Sequence, residues 1–139
     1  MRQVTPLGLF GDSSSQSHFI GRADEIRELS GQLPLSERAR VAEYLRTAPV
    51  IIALMGFTED VVGTEFSVMG GSALHSDGTF YWRRDTAEYV ETYGTGLPSA
   101  FMEHGARLAW RVPSLTDEEV LEIDDFFMFL RARTKGTSW

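Results

Sequence analysis

The sequence predicts a single α+β domain: a small, mostly antiparallel sheet of three to five strands, helices packed mainly on one face, and a flexible N-terminal arm. Three observations carry this. Short strand-like segments crowd between residues 50 and 82, and an Asp77-Gly78 step joins two of them as a hairpin. Helical spacing of apolar residues flanks that block on both sides, with cap residues at several helix starts. The 139 residues, 42% hydrophobic and 12% aromatic, suffice to bury one core without disulfides.

Residues 1–18 mix Gly, Ser, Asp and Gln with isolated apolar residues and read as the arm; residues 19–133 form the domain and 134–139 a frayed tail. Ile26, Leu29 and Leu33 recur at helical spacing, with Gly31 as a competing stop. A better helix follows Pro34: Ser36 is its N-cap, Glu37 lies in its first turn, and Val41, Tyr44 and Leu45 share one face. It ends before Pro49, because a residue preceding proline avoids helical geometry. The continuous apolar run Val50 to Met55 reads as a central strand buried on both faces. Gly56 to Thr64 reads as a loop exposing Glu59 and Asp60, and Glu65 to Met69 as a strand closed by Gly70-Gly71.

The hairpin comes next: Ser72–His75 and Thr79–Trp82 around Ser76-Asp77-Gly78, where Asp and Gly both tolerate positive φ. Asp85 and Glu88 have capping-box spacing for the following helix, which Gly94 stops. Either Ala87 and Val90 with Tyr93, or Tyr89 with Tyr93, face inward. Pro98 opens a short helix through Phe101 and His104. Arg107 to Val112 alternates, and reads as an edge strand or as that helix's continuation. Thr116 and Glu119 form a second capping box opening the longest helix, Asp117 to Arg133. Its core face is Val120, Ile123, Phe127 and Leu130, with Phe126 nearby.

Charge narrows the function classes. The net charge is −7, and the excess lies beyond residue 46: residues 1–46 carry six Arg against six acids. Such a chain repels phosphate backbones, so no nucleic-acid partner is expected; a protein partner with a basic surface is. Zero cysteines exclude a thiolate zinc site and a cysteine nucleophile. No apolar run reaches membrane-spanning length and the N-terminus does not read as a signal peptide, so no membrane is expected and a cytoplasmic location is. Nucleotide-binding, zinc-protease, nucleophile-elbow and EF-hand patterns are lacking, so neither cofactor nor metal is expected.

Two sets of candidate residues remain. His75 and Asp77, with His104, offer polar groups for a ligand pocket beside Tyr81 and Trp82, although the turn already accounts for Asp77. Alternation along Phe80-Tyr81-Trp82 sends some rings into the core, and exposure of Tyr81 or Trp82 would suit a protein interface. Asp117–Asp125 holds six carboxylates in nine residues. Of these, Glu118, Glu122 and Asp125 share one helical face opposite the core stripe, a solvated face that also suits docking to a basic surface. Self-association through an exposed edge at Arg107–Val112 is a further expectation.

The order VAEYLRTAPVIIALMG, an acidic loop, then SALHSDGTFYWRRDTAEYVETYGTGLPSAF resembles a group of small actinobacterial proteins. Their hallmark is a TDG-x-W-x-W segment, a helix with YY or YV, and an LP-x-x-F stretch. Here Ser76-Asp77-Gly78 stands for TDG, Phe80 and Trp82 take the aromatic positions, and Tyr89-Val90 and Leu97 to Phe101 match the rest. The resemblance covers residues 41–104. It implies an immunity or accessory protein of the kind found beside toxin systems, and assigns no catalytic residue. The expected function is therefore a non-enzymatic, acidic protein-binding domain of immunity type. Glu118, Glu122 and Asp125, with Tyr81 and Trp82, are its contact residues. The alternative is a small enzyme or ligand-binding domain built around His75, Asp77, Trp82 and His104.

Overall fold

A strand of four aromatic and basic residues organises the molecule. In the computed structural model, which describes residues 1–7 and 23–133, this strand is β6, Phe80–Arg83, an inner strand of a four-stranded sheet. Its neighbours are β1 (Thr5–Pro6), parallel to it, and β5 (Leu74–Ser76), antiparallel; β2 (Val50–Ile52) pairs antiparallel with β5. A separate antiparallel hairpin joins β3 (Phe57–Glu59) to β4 (Ser67–Met69). The helices are α1 (Ala23–Leu29), α2 (Leu35–Thr47), α3 (Thr86–Tyr93), α4 (Ser99–Arg107) and α5 (Asp117–Arg133). This is an α+β fold.

Alternation along β6 builds the core on both faces of the sheet. Phe80 and Trp82 face α2, α3 and α4, where Tyr44, Leu45, Val90 and Phe101 pack around them. Tyr81 faces the other way, against Ile123 and Phe127 of α5. Most of the helical mass thus lies on one face, and α5 alone covers the other. Trp82 also donates its indole N–H to the Leu45 carbonyl at 2.9 Å, so its one polar atom is satisfied in the core. No helix among the described residues is long and apolar enough to cross a membrane.

The Asp77 turn is made by the carboxylate as much as by the glycine. Asp77 Oδ1 accepts the amides of Thr79 (2.9 Å) and Phe80 (2.8 Å), and only Gly78 takes a positive φ, 93°. Asp77 itself therefore stays outside the left-handed region that its type tolerates.

Several expectations are corrected. The Val50–Met55 run is an edge and not a central strand: only Val50–Ile52 pairs, α5 covers one side, and Met55 is exposed. Residues 57–59, expected within a loop, form β3. Residues 1–7, expected in the arm, are built into the sheet: the Thr5 amide donates to Thr79 O (2.9 Å), the Leu7 amide to Tyr81 O (3.1 Å), and Val4 and Leu7 are buried. Two isolated apolar residues sufficed because β6 offered an open edge. The rest of the arm, residues 8–18, and the tail 134–139 lie outside the described residues. Helix α2 starts at Leu35 with Pro34, not Ser36, in the cap position.

Beyond Arg107 the stretch to Val112 is neither strand nor helix. Helix α4 ends at Arg107, and Ala109 and Trp110 take φ of 53° and 57°, an unfavourable conformation for a bulky residue. The turn swings the Trp110 ring over Gly105, where an added Cβ would stand 2.2 Å from it, and onto the Tyr44 ring at 5.4 Å. The packing holds the strained turn. It leaves no strand edge for self-association at 107–112.

Candidate functional site

Of the polar residues singled out in the sequence, Asp77 and His104 come together and His75 has other partners. Asp77 is buried, and its Oδ2 accepts the Tyr44 hydroxyl at 2.5 Å and His104 Nε2 at 3.0 Å. Because a carboxylate only accepts, Nε2 must carry the hydrogen. Helix α2 supplies the tyrosine, the hairpin turn the aspartate and the last turn of α4 the histidine, so one carboxylate ties three elements together. Burial first, then the hydrogen bond and the negative charge of Asp77, push the Tyr44 hydroxyl well above its usual range, so it stays a donor.

His75 lies elsewhere on that sheet face, opposite Trp82 in register. Its Nδ1–H faces the Ala48 carbonyl at 2.9 Å, which leaves Nε2 to accept from Arg84 Nε at 3.2 Å. Burial and the Arg84 charge hold its pKa below the usual histidine range, although the Ala48 bond opposes them. Both ring nitrogens are engaged. The two histidines have different partners: His75 bonds to Ala48 and Arg84, and His104 to Asp77. Among the described residues no three His, Cys, Asp or Glu side chains are grouped to hold a metal ion.

Tyr44→Phe keeps the ring packed on Trp82, Phe101 and Trp110 but removes a donor from Asp77. The expected result is a loss of about 1–3 kcal/mol in urea unfolding, the cost of an under-satisfied buried acceptor.

Asp85 does not cap α3. Its backbone is already helical (φ −70°, ψ −12°), which turns the carboxylate away from the helix amides and into the core. There Oδ2 accepts Thr58 Oγ1 at 2.9 Å and Arg83 Nη2 at 3.2 Å, while Oδ1 finds no partner. Glu88, the other half of the expected box, pairs with Arg46 at 3.0 Å. Burial raises Asp85 to about 6, outweighing the Arg83 charge and the Thr58 bond. Burial likewise lowers Arg83 to about 10 against the attraction of Asp85. The pair fixes β3 of the small hairpin to the main sheet.

The second set of candidates, the acidic face of α5, is exposed where the sequence placed it. Glu118 and Asp125 are exposed and Glu122 half-buried. Thr116 and Glu119 form the expected capping box, with reciprocal bonds of 2.9 and 3.1 Å. Glu119 turns instead to Arg2, at 2.5 Å, and the Arg2 amide donates to Glu122 O. Sequence reading missed the apolar members of the outer face: Leu121 is 63% and Met128 52% exposed. Their positions, three after Glu118 and three after Asp125, were the available signal.

Tyr81 and Trp82 do not join this face. They are 1% and 0% exposed, Tyr81 beneath Phe127 (4.9 Å between ring centroids) and Trp82 across the sheet against Phe101 (5.7 Å). Short inner strands bury both of their faces once helices cover both sides of the sheet.

A third feature was invisible as a site. The β3–β4 hairpin borders an open cleft of about 620 Å³ lined by Glu59, Asp60, Gly63, Thr64, Glu65, Phe66 and Ser67. Asp60 holds its loop, accepting the amides of Val62, Gly63 and Glu65 and the Tyr93 hydroxyl. Asp60, expected to be exposed, is buried because these bonds draw it inward. Burial pushes its carboxyl up, but the Tyr93 bond and the three amides outweigh it and hold it below the usual range. Comparison of the chain with protein-family models, curated proteins and solved structures finds no match.

Proposed function

We propose that this chain is a non-enzymatic protein-binding domain whose partner has a basic surface, with immunity-type neutralisation of a toxin in the cytoplasm as its most concrete form. The observation that carries the reading is the outer face of α5, where the acidic residues Glu118, Glu122 and Asp125 run alongside the exposed side chains of Leu121 and Met128. Acids steer a basic partner and set the register, and apolar groups beside them give the contact area that charge alone does not. Against a catalytic pocket stands the use of the polar groups: Tyr44, Asp77 and both nitrogens of His75 are engaged in bonds within the fold.

Charge reversal tests it. The Glu118→Lys/Glu122→Lys/Asp125→Lys chain should fold as the wild type does, because Glu118 and Asp125 face water and Glu122 is only half-buried. In paired captures from an extract of the native host, the wild type should retain a basic protein that salt elutes, and the variant should retain roughly tenfold less. Equal retention would sink this reading.

A further inference from the structure

We propose that the outer face of the β3–β4 hairpin is a second docking surface, which takes an extended segment of a partner protein bearing a large apolar residue and, two positions on, an arginine or lysine. The surface is separate from α5 and the inference does not rest on the reading given for that helix.

Alternation sorts the hairpin. Thr58 and Val68, paired across the strands, point inward, and Thr58 is held by its bond to the buried Asp85. That contact fixes which side faces out: Phe57 and Glu59 on β3, Met69 and Ser67 on β4. Register then separates the outer face into two ends, since Phe57 lies opposite Met69 and Glu59 opposite Ser67. At one end Phe57 and Met69 are both 65% exposed, a cross-strand apolar pair facing water. At the other end Glu59 and Glu65 stand exposed at the mouth of the cleft, with Asp60 ionised beneath them.

Charge complementarity selects the occupant. Same-face residues of a strand lie about 6.5–7 Å apart, so an extended segment laid along β3 puts residues i and i+2 over Phe57 and Glu59. An apolar side chain at the first and a cation at the second match both ends of the face. A second copy of this chain, itself at −7, would bring like charge to the acidic end. An anionic lipid surface would do the same.

The test uses the full chain and three labelled synthetic peptides. The first is a Thr-rich peptide repeating Leu-x-Arg. The second has the same composition with Leu and Arg adjacent, so that they project to opposite sides. The third has Gln for Arg. In fluorescence anisotropy at low salt, the first should bind at least about tenfold more tightly than the other two. Phe57→Ser and Glu59→Lys, both surface changes, should each weaken it about tenfold with the circular dichroism unchanged. The charge reversal on α5 should leave it unaltered, so a failure of either surface is told apart from a failure of the other. The proposal is overturned if no peptide binds, if the adjacent-residue peptide binds equally, or if the hairpin variants bind as the wild type does. Concentration-dependent dimerisation that Phe57→Ser abolishes would overturn it in favour of a second copy. Retention on anionic vesicles that Phe57→Ser abolishes would overturn it in favour of a membrane.

Discussion

Asp85→Ala should destabilise the fold by about 3–5 kcal/mol, while Arg83→Met/Asp85→Leu should lie within about 2 kcal/mol of the wild type or above it. The single change leaves a guanidinium in the core without its carboxylate and releases Thr58 from its anchor. Removing both charges removes the desolvation that already raises Asp85 and lowers Arg83, shifts that oppose each partner's charged form. Urea unfolding of the wild type, the single and the double variant measures the difference. A double variant as unstable as Asp85→Ala would contradict the account.

The same pair predicts a pH dependence. Asp85 has a folded value of about 6, above the roughly 3.9 of an unfolded aspartate, so the native state holds its proton longer. Its contribution to stability is complete below about pH 4 and is lost as pH rises to about 6. Asp60, whose value is lowered, acts in the opposite sense: its contribution is present above the unfolded carboxylate range and is lost as pH falls. Subtracting the profile of Arg83→Met/Asp85→Leu from that of the wild type isolates Asp85. The difference should fall by about 2–3 kcal/mol between pH 4 and 7. A difference that stays flat or rises would refute the burial argument.

Trp82→Ala should cost about 3–5 kcal/mol, because it empties the space between α2, α4 and the sheet and leaves the Leu45 carbonyl without its indole donor. This ring would have been a contact residue had it been exposed. Its complete burial moves it from interface to core, so the variant should lose binding only as it loses fold. The check is to add a stabilising osmolyte until the variant refolds. Binding should return with the circular dichroism. A refolded Trp82→Ala that stays inert would place the ring at the interface after all.

These two results bear on what a sequence can disclose. The spacing Asp85–Glu88 matches that of Thr116–Glu119, yet only the second pair makes a capping box. Thr116 follows a loop and faces water, so its hydroxyl has no better use than the helix amide. Asp85 follows β6 directly, and Arg83 and Thr58 compete for its carboxylate inside the core. Spacing records the opportunity; burial decides the outcome. The run at Val50 shows the same limit, since a continuous apolar stretch reads alike whether the strand is central or an edge half-covered by α5. The Asp77 hairpin, the Gly94 stop (φ 62°) and the length of α5 were legible because local chemistry determines them. The place of Tyr44 beside Asp77 and His104 was not, since the contact joins elements far apart in the chain. The pairing of Thr5 with Phe80 was hidden for the same reason.

Affinity as a function of salt tests most directly whether the acidic face of α5 is an interface. With the captured basic protein purified, its dissociation constant should be measured against the wild type and the triple charge-reversed chain from low to high ionic strength. Wild-type binding should weaken steeply with salt, and the triple variant should bind about tenfold or more weakly at low salt with a much flatter dependence. Equal affinities with equal salt slopes would contradict the proposed role of Glu118, Glu122 and Asp125.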